Sequence, residues 1–419
     1  MRPPFEYAGD DLRCNGVRLA DIAEQAGTPC YVYSASAILE RFRAYDLAFD
    51  DLPHRVCYAV KANSSLAILQ LLAKAGAGFD IVSGGELYRV LKAGGEAGKV
   101  VFSGVGKTAE EIEYALSENI HSFNCESEAE LSLIDDLASK RGVKARVALR
   151  VNPDVDATTH PYISTGLREH KFGVDIAEAE GIYLRAKRWK HLIPDGVSCH
   201  IGSQITDTRP LMEAVGKMLA LVDRLRANGC AIQSLDLGGG LGIAYHAGQT
   251  SPSIAEFVQA VCAQARGRGL ELMIEPGRSI VGEAGVLLTR VLYRKHNGGK
   301  QFVIVDAAMN DLIRPALYQS HHDILPLQRN AGSAITADIV GPVCETGDFL
   351  ARDREVADVQ PGDYMAICMA GAYGFVAFSN YNSRPRPPEV LVEGRHQGQQ
   401  WRIIRERETM QDLVRGESR

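Results

Sequence analysis

Short apolar, β-rich runs recur through the first two-thirds of the chain, and segments with helical spacing separate them. The runs predict strands near 56–61, 78–83, 100–104, 121–126, 145–152, 196–202, 234–238 and 271–275. The first four begin about twenty-two residues apart, room for one strand, one helix and two short loops. Helix signals fill the gaps. A helix-like stretch covers 64–75. Thr108 with Glu111 reads as a capping box ahead of Ile112 and Leu116, and Ser127 with Glu130 as another ahead of Leu131, Ile134 and Leu137. Eight strands alternating with helices predict a (β/α)8 TIM-like barrel, an α/β fold. An open, doubly wound sheet is the competing architecture for the same alternation.

The pattern changes after about residue 280. Strands are predicted over 286–293, 301–305, 337–340, 364–369 and 389–392, punctuated by Pro342, Pro361-Gly362, Gly371 and Gly374. This predicts a barrel over 36–280 and a second, mainly β domain made of 281–419 together with the strand-like 1–35. The last twenty residues, rich in Arg and Glu, read as a solvated tail. A chain of 419 residues exceeds one ordinary core, which agrees with two domains.

Composition narrows the function. Charged residues make up 23% and the net charge is -6 with no basic stripe, which excludes nucleic acid and anionic membranes as partners. No apolar run is long enough to span a bilayer and Met1–Glu6 shows no signal-peptide pattern, so a cytoplasmic protein is expected. The 9 Cys are odd in number and lack C-x-x-C pairs, which predicts reduced thiols and neither a disulfide framework nor a zinc site. Cys57, Cys199 and Cys368 sit in apolar strands and read as core.

The unusual residues cluster where the predicted strands end, and a barrel gathers those ends at one mouth. The first strand delivers Lys61; a lysine drawn partly out of water becomes a carbonyl-attacking amine, unless it simply points at solvent. The second leads through Asp80 to Ser83-Gly84-Gly85. The sixth carries His200 and Ser203, the seventh Gly238-Gly239-Gly240, and the eighth Glu275, Gly277 and Arg278. Consecutive glycines can aim several backbone N–H groups at a phosphate, or can form only a tight turn. Their G-x-G-x-G spacing is wrong for a dinucleotide fingerprint. Glu275 needs a cationic partner, either a protonated ring nitrogen or an arginine. His200 could stack on a flat ring or be a hydrogen-bonded core residue. No second histidine lies at ligand spacing, and the adjacent His321 and His322 need not converge, so no metal is expected. An amine, a phosphate cradle, a ring-nitrogen carboxylate and a stacking imidazole together describe a pyridoxal 5'-phosphate site.

The runs Tyr58–Asn63, His200–Gln204, Gly238–Gly242 and Glu275–Arg278 resemble those of the fold-type III pyridoxal-phosphate decarboxylases, and among them the diaminopimelate decarboxylase family. The likeness continues through Gly166–Gly173, Met309–Tyr318, Gly341–Asp348 and Gly371–Gly374, covering about residues 30 to 395. It implies that Lys61 carries the cofactor, with Asp80, His200, Ser203, Gly238, Gly239, Gly240, Glu275, Gly277, Arg278 and Tyr373 around it. It implies that Arg278, Arg314, Tyr318, Glu345 and Tyr373 bind an amino-acid substrate. Cys344 would be the acid that reprotonates the substrate carbon once CO₂ has left. It also implies a head-to-tail homodimer in which Cys344 and Glu345 serve the partner's site. The glycines beside Tyr373 suggest an exposed loop.

Glu275 favours decarboxylation, because an adjacent anion keeps a pyridine nitrogen protonated, whereas the barrel-sharing alanine racemases place an Arg there. The pair Cys344-Glu345, with arginines for a distal carboxylate, resembles the type acting on meso-2,6-diaminopimelate to give L-lysine. Enzymes of the ornithine, lysine, arginine or carboxynorspermidine type are the alternative on this scaffold, ornithine decarboxylases typically having Asp after the Cys. An inactive homologue would lack Lys61 or Cys344, and both are present.

Overall fold

Eight short strands pair in parallel in chain order: β1 (His54–Ala59), β2 (Gly78–Ile81), β3 (Val100–Phe102), β4 (Ser122–Cys125), β5 (Ala145–Asn152), β6 (Leu192–Ser198), β7 (Ser234–Asp236) and β8 (Glu271–Ile274). β8 returns to β1, with Leu272 opposite His54 and Ile274 opposite Val56. The sheet is closed, which excludes the open alternative. The computed structural model describes residues 3–156, 171–246, 248–329, 334–394 and 401–418. The chain divides into two units, one of Met1–Glu40, Ala244–Gln249 and Ile280–Arg419, the other of Arg41–Ile243 and Thr250–Ser279.

In the barrel unit, β2, β3, β4 and β7 are buried along their whole length. Strands covered on both faces favour apolar residues on both sides of the sheet, which is why these runs do not alternate. The helices between them bury one stripe each. Leu66–Lys74 buries Ile68, Leu69 and Leu72, and Ala109–Ser117 buries Ile112, Ala115 and Leu116. Each such Leu or Ile contributes roughly 1.5–3 kcal/mol. Cys57, Val101 and Met273 form an apolar cluster. Asp80, Ser103, Asn124, Asp236 and Glu275, at or just past strand ends, are buried polar groups.

The Thr108–Glu111 capping box is present in both halves, at 3.2 and 3.1 Å. At Ser127 only half of the expected box exists. Ser127 Oγ accepts from the Glu130 amide at 3.2 Å, but the Glu130 carboxylate turns away. It takes the buried Lys107 ammonium at 2.6 Å and the Glu126 amide at 2.7 Å. A buried ammonium without an anion costs far more than a cap contributes, so Lys107 wins.

The other unit is built on β-sheets. Its main sheet runs Phe349–Ala357, Ala334–Val340, Lys300–Val305, Gly285–Asn297, Cys30–Ser34, Glu389–Val392 and Trp401–Arg405, with Tyr364–Ile367 and Ile324–Pro326 branching from Gly285–Asn297. Cys30–Ser34 lies between Gly285–Asn297 and Glu389–Val392, buried at all five positions. Leu12, Ile22, Val32, Val286, Leu288 and Val390 share the core. Three strands of this sheet were not expected from the sequence: the short Ile324–Pro326, and Phe349–Ala357 and Trp401–Arg405, whose charged residues mask the β pattern. Trp401–Arg405 overturns the reading of a solvated tail. Its Arg405 guanidinium pairs with Glu389, a fully buried carboxylate that also accepts from Tyr33 Oη at 2.8 Å. An unpaired carboxylate there would be prohibitive, so the C-terminal strand is needed by the core.

Candidate active site

The chain leaves β1 through a single 3-10 turn, Val60–Ala62, whose outer residues are buried while Lys61 is not. Tyr58 Oη donates to Asn63 O at 2.9 Å and closes the turn. The β1–β2 register puts Ala59 opposite Asp80, and Lys61 Nζ reaches Asp80 Oδ2 at 2.8 Å. Asp80 is fully buried, whereas the Lys61 side chain is 36% exposed and so accessible to a ligand. The lysine meets a carboxylate, not an apolar wall. The strand end aims the amine rather than dehydrating it.

Beside this pair lie two further buried carboxyls. Glu275 Oε1 accepts from Ser103 Oγ at 3.2 Å and from Asn124 Nδ2 at 3.1 Å. The same amide nitrogen donates to Asp236 Oδ2 at 2.9 Å, and Asp236 Oδ1 accepts from the Gly238 amide at 2.9 Å. Burial, then the charges of Asp236 and Asp80, push the Glu275 carboxyl well above the usual carboxylate range, against the pull of Lys61. Burial also raises Asp236, while its hydrogen bonds to Glu275, Asn124 and Gly238 oppose the rise. Burial and mutual repulsion disfavour ionising both acids together. Asp80 Oδ1 and Asn124 Oδ1 are buried acceptors without a hydrogen-bond partner. Three buried carboxyls with one nearby ammonium, on Asp80, make a place suited to an additional cation or donor. Among the described residues no group of His, Cys, Asp and Glu could hold a metal.

His200 Nδ1 accepts from the Gly239 amide at 3.1 Å, which leaves the ring proton on Nε2. Burial, and after it the charges of Arg150 and Lys61, push its pKa well below the ordinary value, so the ring is neutral. The three glycines correct the sequence reading in part. The amides of Gly238 and Gly239 are committed to Asp236 and His200, so they do not both point at one anion. The glycines are required by close packing. A Cβ on Gly238 would lie 2.6 Å from Cys199 O, one on Gly239 would overlap Glu275 O, and one on Gly240 would lie 2.5 Å from Gly202 O. Gly238 and Gly240 also adopt positive φ of 65° and 112°. Gly277 serves the same end: its Cβ would press on Ala59 and Ala62, while Pro276 O accepts from the Ala59 amide at 3.1 Å. The Glu-Pro-Gly corner therefore nests against the turn carrying Lys61. Arg278 is buried and donates from Nη2 to Ser203 Oγ at 3.1 Å.

The structure thus brings Lys61, Asp80, His200, Ser203, Gly238, Gly239, Gly240, Glu275, Gly277 and Arg278 to the ends of the barrel strands. Sequence reasoning gave no role to Ser103, Asn124 or Asp236, although each stands at or just past a strand end. Of the motif Gly166–Gly173, residues 166–170 lie outside the described residues. Phe172 O accepts from Asn152 Nδ2 at 2.7 Å and the Gly173 amide donates to Glu126 at 2.5 Å.

The remaining candidates belong to the β unit. Arg314 and Tyr318 share the helix Arg314–Tyr318, Arg314 buried and Tyr318 half-buried. Tyr373 is half-buried with φ +56°. Its flanking glycines do not mark an exposed loop. Gly371 packs against Val281 O, and a Cβ on Gly374 would lie 2.6 Å from Ala370 O. Cys344 and Glu345 stand on an exposed loop. The Cys344 amide donates to Asn382 Oδ1 at 2.8 Å, and Glu345 Oε2 accepts from Tyr381 Oη at 3.4 Å. None of the nine cysteines is in a disulfide, and Cys344 is the exposed one.

A family model described as the pyridoxal-binding domain of pyridoxal-dependent decarboxylases matches residues 35–282. That span contains the closed barrel, so the chain carries the domain of that class. Diaminopimelate decarboxylase of Pseudomonas aeruginosa is 55% identical over 414 residues, covering 99% of this chain and 98% of the relative. That of Vibrio cholerae is 51% identical, covering 98% and 97%. The crystal structure of diaminopimelate decarboxylase from Helicobacter pylori complexed with L-lysine superposes with a TM-score of 0.91 at 44% identity, covering 95% of this chain and 98% of that one. The chain belongs to the diaminopimelate decarboxylase family.

Proposed function

We propose that the protein decarboxylates meso-2,6-diaminopimelate to L-lysine and CO₂, with pyridoxal 5'-phosphate held through Lys61. The observation that carries this reading is the Lys61 amine on the buried Asp80 carboxylate, with the buried Glu275 beside it tied to Asp236 through Asn124. It sits in a chain that matches diaminopimelate decarboxylases over nearly their full length. When bound, the cofactor supplies an electron sink for the pair left at the substrate carbon as CO₂ departs.

The residues fit that group. The surplus of buried acid suits a protonated ring nitrogen, the neutral His200 imidazole suits a ring face, and Ser203, Gly240, Gly277, Arg278 and Tyr373 would hold the phosphate end. Glu275 keeps the proton on the ring nitrogen, its own Oε1 fixed by Ser103 and Asn124. Asp80 orients the Lys61 amine. Arg278, Arg314 and Tyr318 bind the distal carboxylate of the substrate, and Glu345 its distal ammonium. Cys344 delivers a proton to the substrate carbon.

In this reading a second copy of the chain supplies Cys344 and Glu345 to each site; their exposed loop supports it, since only an exposed loop can serve another subunit. Nine cysteines without a disulfide suit the cytoplasm. Among the described residues no helix is long and apolar enough to cross a membrane. CO₂ release from meso-diaminopimelate, ornithine, lysine and arginine tests the assignment. Turnover of diaminopimelate well above the others is expected, and faster turnover of ornithine would overturn it.

A further inference from the structure

Arg314 opens its helix with the guanidinium buried. Nη1 donates to Tyr245 Oη at 2.8 Å and lies 3.2 Å from His322 Nε2, while Nη2 donates to Ser320 Oγ at 3.2 Å. The guanidinium carbon stands 4.7 Å from the centre of the Tyr245 ring, and the His322 ring meets that ring edge-on at 5.3 Å. His322 is completely buried. Its Nδ1 lies 2.8 Å from Cys368 O, which can only accept. Its Nε2 faces a guanidinium, which can only donate. Both contacts are satisfied together by one form of the ring, the neutral tautomer with hydrogen on Nδ1 and a lone pair on Nε2.

We propose that His322 is a positioning residue for substrate recognition: its Nε2 lone pair aims the Arg314 guanidinium. The inference rests on the reading of Arg314 as a ligand of the substrate's distal carboxylate, and deepens it. A guanidinium on a long, flexible stem binds a carboxylate well only when its plane is fixed in advance. Tyr245, Ser320 and His322 offer acceptors to both of its Nη atoms. The loop Ala244–Gln249, which follows the triple glycine in the chain, has a role here through Tyr245.

The cofactor-loaded full-length protein carries the test, in three variants. His322→Phe keeps the ring volume and removes the acceptor; His322→Gln restores an acceptor at about the Nε2 position; Arg314→Lys reports on the arginine itself. A hydrogen bond to a charged group is lost in His322→Phe, so KM for meso-diaminopimelate should rise about tenfold or more with kcat within about twofold of wild type. His322→Gln should recover most of that loss. Visible absorbance of the bound cofactor and the melting temperature check that each variant is folded and loaded. If Arg314→Lys raises KM and His322→Phe does not, the positioning role is overturned and the arginine assignment stands. If Arg314→Lys leaves KM unchanged, both fall. A loss in kcat alone, or a KM loss that Gln does not relieve, also overturns the proposal.

Discussion

Replacing Glu275 by Gln separates the chemistry of this acid from its contribution to the fold. The amide is isosteric, and its oxygen can still accept from Ser103 Oγ and Asn124 Nδ2, the two donors now at 3.2 and 3.1 Å from Oε1. Its nitrogen can donate to Asp236. What disappears is the anion that holds a proton on a ring nitrogen. An opposite charge in contact moves a pKa by about 1–3 units, and at ~1.36 kcal/mol per unit the loss is about 1.4–4 kcal/mol, or roughly 10- to 1,000-fold in kcat. Stability moves the other way. In the cofactor-free chain the folded pKa of Glu275 is raised by burial and by Asp236 and Asp80. The stability linked to that proton is fully present below the unfolded value near pH 4, roughly, and is lost as pH rises through the raised folded value. Glu275→Gln removes this loss, so the cofactor-free variant should melt higher than cofactor-free wild type at pH 8, with the gap closing toward pH 4. The assays are CO₂ release, cofactor occupancy by visible absorbance, and thermal melts at the two pH values. A fully loaded variant within about threefold of wild-type kcat would refute the role given to Glu275, since it falls below the smallest loss that the electrostatic argument allows.

Cys344→Ala should keep the visible band of the lysine-bound cofactor and lose roughly 10²–10⁴-fold in turnover, the range for removing a general acid; full-speed turnover would exclude the thiol as proton donor. Lys61→Ala should lose the band and fall to background turnover. Mixing inactive Lys61→Ala and Cys344→Ala chains under exchange should restore activity to about a quarter of wild type, because heterodimers contain one site with both groups intact; no recovery in a mixture shown to exchange would contradict a shared site. Gly277→Ala places a methyl 2.9 Å from Ala62 Cβ and 3.1 Å from Ala59 Cβ. It should cost about 1–3 kcal/mol of stability, and turnover should fall as the Lys61 turn is pushed from the Glu275 corner. An unchanged melting temperature would mean that the corner yields freely.

Much of the barrel was legible in the chain because its strands are covered on both faces and leave apolar runs that end sharply. The predicted and observed strands agree in order and nearly in bounds, and residues at their ends were legible through the single rule that a barrel collects those ends. Elements bearing charge were not. Phe349–Ala357 and Trp401–Arg405 read as polar because their arginines and acids face outward or pair with buried partners such as Glu389. The Ser127 cap was half misread because Lys107, twenty-three residues from Glu130, competes for the same carboxylate. The glycines flanking Tyr373 mark close packing, and a one-letter string cannot separate that need from exposure.

The sequence by itself determined the alternation that closes as a barrel, and hence which lysine, histidine, glycines and glutamate share an end of it. Periodicity and turn chemistry are local, so they survive in a linear reading. Only the tertiary structure decided that Asn124 bridges Asp236 and Glu275, that two glycine amides are already bound, and that Arg314 meets His322 and Tyr245. The first of these bonds span 112 and 151 residues of chain. Such contacts depend on strand register and ring closure, and no local pattern encodes which distant polar groups will meet within 3 Å or so of one another.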